Sequence, residues 1–391
     1  MYDQIEKYSR KLIADRSALP EKIAFAAQDD VVIAAGDPAL SRLAASVLGR
    51  LNCLALCAAA PALPFARFLL QRAGAGEREI VPRDTETRTF LHDIPILRRT
   101  DLGSDPAETI ARFLGNRKGI IVEDMGIIAN GALTVEQAFI NWSSVFHSTF
   151  IKYLEDVVEH GFRLPGEARA FNDFRTEWLM PLTASGLKFR QGPLSAKADI
   201  LDEMARVGRY TVERGLVDSF FGNISYSNGD LIYISQTASS LDELAGCIDP
   251  VPFDNSSTIG ITASSELVAH RRIFETSGCR AILHGHPRFA VVMSMLCHEK
   301  EHCAITDCWK DCPKVRVLGG TPVVAGEIGA GGIARNLPPV IGEPGRAIVY
   351  GHGVFTLGRN GFEEAFQALV DVENWCREEY FRRFDERYGG S

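Results

Sequence analysis

Apolar residues in the second half of the chain recur at two distinct periods. From Ala196 onward, Ile200, Met204, Val207 and Tyr210 repeat at helical spacing and share one face, and Gly215 supplies a stop. Leu231–Ile234 follows the Asn228-Gly229 turn and reads as a strand. Ser264–Thr276 reads as a helix opened by a serine cap, Arg280–His286 and Ala347–Tyr350 as strands, and Gly361–Phe384 as a long helix. Strands alternating with helices predict an α/β protein. Between Glu159 and Ser195 the periodicity is weak, and Pro165-Gly166 and Gly192-Pro193 break the chain. The expected division is therefore a domain over 1–160, a linker over 161–194 and a domain over 195–391.

A weak internal repeat links the two halves. A shift of 227 residues lays Ile94–Phe139 on Thr321–Phe366 without a gap, so that Pro95 meets Pro322, Ala107 meets Ala334, Gly115 meets Gly342 and Gly126 meets Gly353. A shift of 226 lays Cys53 on Cys279 and Pro61 on Pro287. Two copies of one strand–helix plan would produce this order, and chance similarity between two such units is the alternative.

Composition narrows the function. The chain has 391 residues, 46% of them hydrophobic and 24% charged, with a net charge of −8. That is enough apolar material for a real core, and the length suits about two or three domains. The acidic balance excludes a general nucleic-acid binder, which needs a basic stripe. The opening stretch MYDQIEKYSRKLIADR is charged and lacks an apolar core, so no signal peptide is expected. The most apolar run, Cys53–Ala66, is short and interrupted by Pro61 and Pro64, so no membrane span is expected either. The nine cysteines are odd in number and sit mostly in apolar runs, which suggests reduced thiols in the cytoplasm.

Five short motifs carry candidate chemistry. His284 and His286 lie at i and i+2 on a strand and so face one side, where two imidazoles can share a metal ion or be satisfied core histidines. His352, after a second strand, could complete three ligands with an open fourth position, the layout of a catalytic zinc site. Ser264-Ser265-Glu266 opens a helix, as a cap or as an anion site. Phe221-Gly222-Asn223-Ile224-Ser225 precedes a turn, and Thr237-Ala238 follows the next strand.

The order GNIS, Thr237, SSE, HGH and GHG before a long helix resembles the class II aldolase/adducin family over roughly Ala196 to Arg382. The resemblance implies a three-layer class II aldolase/adducin-like α/β fold with a central, mainly antiparallel sheet, in two tandem copies. It implies zinc, or another divalent transition metal, on His284, His286 and His352, with Glu266 as the catalytic acid/base. It further implies that Asn223, Thr237, Ser264 and Ser265 hold a substrate phosphate. Ala238 stands where the family has glycine, and a left-handed turn there would penalise alanine. The implied activity is that of a metal-dependent aldehyde-lyase, cleaving or forming a C–C bond next to a carbonyl in a small hydroxy-carbonyl substrate, with or without phosphate. A metal ion stabilises the enediolate charge as a Lewis acid, and a carboxylate moves the proton. A sugar-phosphate dehydratase or epimerase at the same metal site, or a non-catalytic adducin-like module, are the alternatives.

In the repeat alignment His284, His286, His352 and Glu266 fall on Ala58, Ala60, Met125 and Leu40, so the first half is expected to be a metal-free, degenerate copy. The family's tetramers further suggest a homo-oligomer, a dimer forming a pseudo-tetramer. Neither a nucleic acid nor a membrane is an expected partner. Cys297, Cys303, Cys308 and Cys312, with His298 and His302 among them, are a secondary candidate for a second metal or cluster, or a redox pair, against buried or free thiols. Gly329-Ala330-Gly331-Gly332 reads as a flexible turn, His270 as a structural histidine near Glu266, and Tyr380, Phe381, Phe384 and Tyr388 as helix-packing aromatics, Tyr388 also being a possible substrate contact.

Overall fold

In the computed structural model the apolar runs pair into two separate sheets, one in each of two compact units, Met1–Met180 and Pro181–Ser391. The structure describes residues 1–74, 76–217, 220–254, 256–297, 303–326 and 330–389, with only the backbone of residue 311. Among the described residues no helix is long and apolar enough to cross a membrane.

The first unit runs α1 (Tyr2–Ala14), β1 (Ala18–Gln28), β2 (Val32–Gly36), α2 (Pro38–Leu48), β3 (Ala55–Pro61), α3 (Phe65–Arg72), β4 (Glu79–Ile80), α4 (Thr85–Leu91), β5 (Ile94–Leu97), α5 (Pro106–Leu114), β6 (Gly119–Val122), β7 (Gly126–Gly131), α6 (Val135–His160) and α7 (Glu167–Asp173). Its strands lie in the order β2-β1-β3-β7-β6-β5-β4. The pairs are antiparallel except β5 with β6. Leu40, Ala44 and Val47 of α2 and Ile110 and Ala111 of α5 pack on Ala24, Ala26, Ala58 and Ile128 on one face of the sheet. On the other face Trp142 of α6 donates its indole N–H to the carbonyls of Ala59 and Ile127, tying the long helix to two neighbouring strands.

The second unit runs α8 (Lys197–Glu213), β8 (Asn223–Ser227), β9 (Leu231–Ser235), β10 (Ile248–Pro252), α9 (Leu267–Ser277), β11 (Ala281–Gly285), α10 (Arg288–Met295), α11 (Cys308–Asp311), β12 (Arg316–Leu318), β13 (Thr321–Val324), α12 (Ala330–Asn336), α13 (Pro338–Ile341), β14 (Arg346–Val349), β15 (Gly353–Gly358) and α14 (Phe362–Tyr388). Its strand order is β10-β9-β8-β11-β15-β14-β13-β12. With β10 set aside this is the order of the first sheet, and again only one pair, β13 with β14, is parallel. Ile232, Ile234, Ile282 and Phe355 form a core with Ala269 and Ile273 of α9, Ile333 of α12 and Ile341 of α13. Each unit is thus an α/β layer arrangement around a mainly antiparallel sheet.

The correspondence holds residue for residue over the 227-residue shift, since β5, β6, β7 and the start of α6 coincide with β13, β14, β15 and the start of α14. It fails between helix and strand earlier on. Matching α2 to α9, which are equal in length, puts Asp37 rather than Leu40 opposite Glu266. The loop after α2 is longer than the loop after α9, and the offset changes there. Two other expectations change. Helix α9 begins at Leu267, because Ser264 is held by its N–H on the Ser235 carbonyl and its hydroxyl accepts from the Glu266 N–H. Residues 330–332 open helix α12 rather than a turn, and Gly329 lies outside the described residues.

The expected linker over 161–194 is shared between the units. Glu167, fully buried, accepts from Arg72 Nε at 2.6 Å and Nη2 at 3.1 Å and from the N–H groups of Arg163 and Leu164. Arg72 also donates to the Gly161 carbonyl. Removing one partner of such a buried pair strands the other charge. Arg72→Leu is therefore expected to cost about 3–5 kcal/mol in urea unfolding, with partial recovery in Arg72→Leu/Glu167→Leu. An unchanged unfolding midpoint in the single variant would show that the pair does not hold residues 161–167 on the first unit.

Candidate metal centre

Strand pairing brings the candidate residues together. In the ladder His284 of β11 lies opposite Asn223 of β8 on one side and Phe355 of β15 on the other, so all three share a face. His286 follows one residue beyond the end of β11, and His352 sits in the turn between β14 and β15. The Nε2 atoms of His284 and His286 are 2.9 Å apart and those of His284 and His352 are 3.2 Å apart. His284 and His286 are buried and His352 is partly exposed. Among the described residues these three are the one group of His, Cys, Asp or Glu side chains gathered closely enough to hold a metal ion.

The tautomer of His284 follows from its neighbour. Nδ1 is 3.0 Å from the Val354 carbonyl, which can only accept, so Nδ1 carries the proton and Nε2 presents a lone pair to the other two rings. The ring of Phe355 stacks on His284 at 3.9 Å and holds its plane. Gly353 is required by contact: a Cβ there would sit 2.4 Å from the Gly285 carbonyl and 2.8 Å from carbons of both the His284 and His286 rings. Imidazole nitrogens at about 2.0–2.1 Å from a tetrahedral zinc lie about 3.3–3.4 Å from each other, close to the spacings seen here. The three rings therefore fit a divalent metal.

Glu266 precedes α9 and reaches the same point. Its Oε1 is 3.1 Å from His352 Nε2, its Oε2 is 3.6 Å from His284 Nε2, and Oε2 accepts from the Asn223 amide at 2.7 Å. Burial raises the carboxyl's pKa, but the neighbouring histidines and the Asn223 amide outweigh it and hold Glu266 well below the usual carboxylate range. Asp37, its counterpart in the first unit, accepts instead from the N–H groups of Ala39 and Leu40 in its own helix.

The remaining candidates surround this point unevenly. Asn223 is buried and gives its amide to Glu266, while its Oδ1 has no hydrogen-bond partner among the described residues. Thr237 is exposed, with its N–H on the Thr262 carbonyl and its hydroxyl donating to the Ala263 carbonyl. Asp249 braces the same turn by accepting from Gln236 and Thr262. Ser264 is buried and Ser265 exposed. Ala238 adopts φ +60°, so the turn is left-handed although its residue is not glycine. His270, fully buried on α9, has Nδ1 at 2.6 Å from the Ser225 hydroxyl, and burial pushes its pKa down to about 3.

Cys297, Cys303, Cys308 and Cys312 are free, as are the other cysteines. The Cys308 thiol points to the Ile305 carbonyl and the Cys312 thiol to the Lys314 carbonyl, and His298 and His302 lie outside the described residues. Tyr380, Phe381 and Phe384 are buried on α14, the first two against Phe289, and Tyr388 packs at a tilt against Phe384.

Two stability measurements follow from this geometry. Ala238→Gly relieves a left-handed alanine and is expected to stabilise the protein by about 0.5–1 kcal/mol, read as a higher Tm; a lower Tm would mean the turn is unstrained. His270 is neutral when folded down to about pH 3 but takes up a proton near pH 6.5 when unfolded, so its contribution is complete above pH 6.5 and shrinks as the pH falls. One proton's linkage is about 2 kcal/mol between pH 6.5 and 5, and metal-free His270→Asn should lack that part of the slope. Equal slopes in urea titrations of wild type and variant would remove His270 as its source.

Comparison of the sequence with curated proteins gave no match. Among solved structures, L-fuculose-1-phosphate aldolase from Thermus thermophilus is 22% identical and matches 50% of this chain and 99% of its own, with a TM-score of 0.40. The N-terminal class II aldolase domain of a conserved protein from Thermoplasma acidophilum is 12% identical over 50% of this chain and 99% of its own, TM-score 0.35. The sugar-phosphate aldolase from Thermotoga maritima is 17% identical over 47% of this chain and 94% of its own, TM-score 0.33. The family model described as class II aldolase and adducin N-terminal domain matches residues 202–380, the stretch that holds Glu266 and all three histidines. Residues 202–380, a little under half of the chain, thus match the class II aldolase and adducin N-terminal domain family.

Proposed function

We propose that the second unit is a metal-dependent aldolase-type lyase, which cleaves or forms a C–C bond next to a carbonyl in a small hydroxy-carbonyl substrate. The observation that carries this reading is the convergence of three imidazole Nε2 atoms with a buried carboxylate in hydrogen-bond reach of one of them. His284, His286 and His352 would hold the metal, with zinc first among divalent candidates for an all-nitrogen set with an open position. When bound, the metal supplies Lewis-acid stabilisation of the negative charge that develops beside a substrate carbonyl.

The chain's own groups do the rest. Glu266 is ionised at neutral pH and is the proposed group that takes a proton from a substrate hydroxyl or returns one to carbon. Asn223 fixes one oxygen of that carboxylate and leaves the other toward His352. The Val354 carbonyl keeps the His284 lone pair on Nε2. Ser264, Ser265 and Thr237 are the proposed holders of a substrate phosphate, together with Asn223.

The shared strand order supports a tandem duplication whose first copy lost its site, with Ala58, Ala60 and Met125 at the ligand positions. A chain with two such units is proposed to dimerise into a pseudo-tetramer, which a solution mass of two chains would support. A monomer would count against it. The nine free thiols suit a cytoplasmic location.

Two variants test the reading. Protein purified without a metal-affinity tag should carry about one zinc per chain, lost in His284→Ala/His286→Ala. Glu266→Gln should keep the metal and lose turnover by about 100-fold or more. Screening should include dehydration and epimerisation of sugar phosphates, and turnover of only those substrates would replace the lyase reading with the dehydratase or epimerase one. A wild type that binds no zinc, even when zinc is supplied, would point to a non-catalytic adducin-like module.

A further inference from the structure

The sheet accounts for only one of the three histidines. His284 is locked in the ladder, whereas His286 lies past the end of β11 and His352 lies in a turn, with its N–H on the Val349 carbonyl. Something else has to set the distance between them. Helix α10 starts two residues after His286, with Pro287 as its N-terminal flank. At that end Phe289 N–H donates to Glu373 Oε1 at 3.0 Å and Ala290 N–H to Oε2 at 2.9 Å, so one buried carboxylate from α14 takes two of the helix's orphan donors. At the other end the hydroxyl of Ser294, fully buried, accepts the Gly351 N–H at 2.8 Å and donates to the Val291 carbonyl. Gly351 is the residue before His352 and has φ +59°.

We infer that α10 is a spacer between two metal-ligand segments, and that Glu373 and Ser294 are positioning residues for the metal centre. Glu373 anchors the end of the helix that carries His286, and Ser294 pins the turn that carries His352. Neither side chain needs to touch metal or substrate. This inference rests on the metal reading given above. Both groups are buried and each satisfies backbone N–H groups that have no water to turn to, so their loss shifts the backbone rather than simply exposing it. Partners of this kind, one step removed from the ligands, commonly change metal affinity by about 10–100-fold.

The test is zinc affinity, measured by competition with a chromophoric chelator on the full chain. Ser294→Ala and Glu373→Gln are expected to weaken zinc binding by about tenfold or more. The control is Glu203→Gln, which alters another buried carboxylate of the same unit that accepts the Arg190 N–H and lies on α8. It should bind zinc as wild type does. Visible absorption of the cobalt-loaded protein gives a second readout, expected to change in Ser294→Ala and to stay unchanged in the control. Should Glu373→Gln fail to fold, Ser294→Ala still decides, because it removes one hydroxyl from a helix that α14 continues to anchor. Wild-type affinity and spectrum in folded Ser294→Ala would overturn the inference alone. A wild type without zinc would overturn the metal reading and this inference with it.

Discussion

The site is organised around His284 Nε2, which lies 2.9 Å from His286 Nε2 and 3.2 Å from His352 Nε2. The Val354 carbonyl fixes the proton of His284 on the far nitrogen, so the inner one brings a lone pair to the meeting point. Contacts this short need either a shared proton or a cation between the nitrogens, and the neighbouring groups hold the rings in that register. Gly353 is bare because any Cβ would strike two of the rings. Phe355 covers one ring face, and Asn223 ties down the carboxylate that approaches the same point.

The first unit has the same strand order without these histidines. Both sheets share one strand order with a single parallel pair. In the second unit the position at the heart of the central strand is His284. In the first it is Ala58, which joins Ala24, Ala26 and Leu40 in an apolar cluster with Met125 packed at its edge. Small apolar side chains let α2 close onto the strands without any polar group to satisfy, and burying them contributes favourably where unpaired histidines would cost several kcal/mol. Asp37, just before α2, caps its own helix instead.

Elsewhere several buried polar groups hold irregular stretches in place. Glu167 closes the segment after α6, Glu373 caps the start of α10, Asp249 braces the Thr237 turn, and Ser294 holds the Gly351 N–H. Glu373 and Ser294 do so from distant elements, by accepting backbone N–H groups that would otherwise go unmade. This is how loops and turns around a rigid sheet acquire defined positions, and the candidate site is built mostly from such stretches.

Local pattern was enough for the elements and for the repeat. Alternation and helical periodicity located α8, β9, β11, β14 and α14 because burial of one face imposes its period on the residues themselves. The 227-residue shift was legible for the same reason, since strands and helices of equal length keep equal spacing. The motifs HGH, GHG and SSE named the residues that meet, because a ligand cluster leaves its residue types in the chain. Tertiary structure alone decided the rest. That Asp37, not Leu40, is the partner of Glu266 depends on a loop whose length change carries no period. Ala238 takes a left-handed turn because its neighbours hold it there, against its own preference. Glu373 and Ser294 left no signal, since a carboxylate or hydroxyl that serves a backbone N–H far along the chain is chosen by position in space, which only the folded arrangement defines.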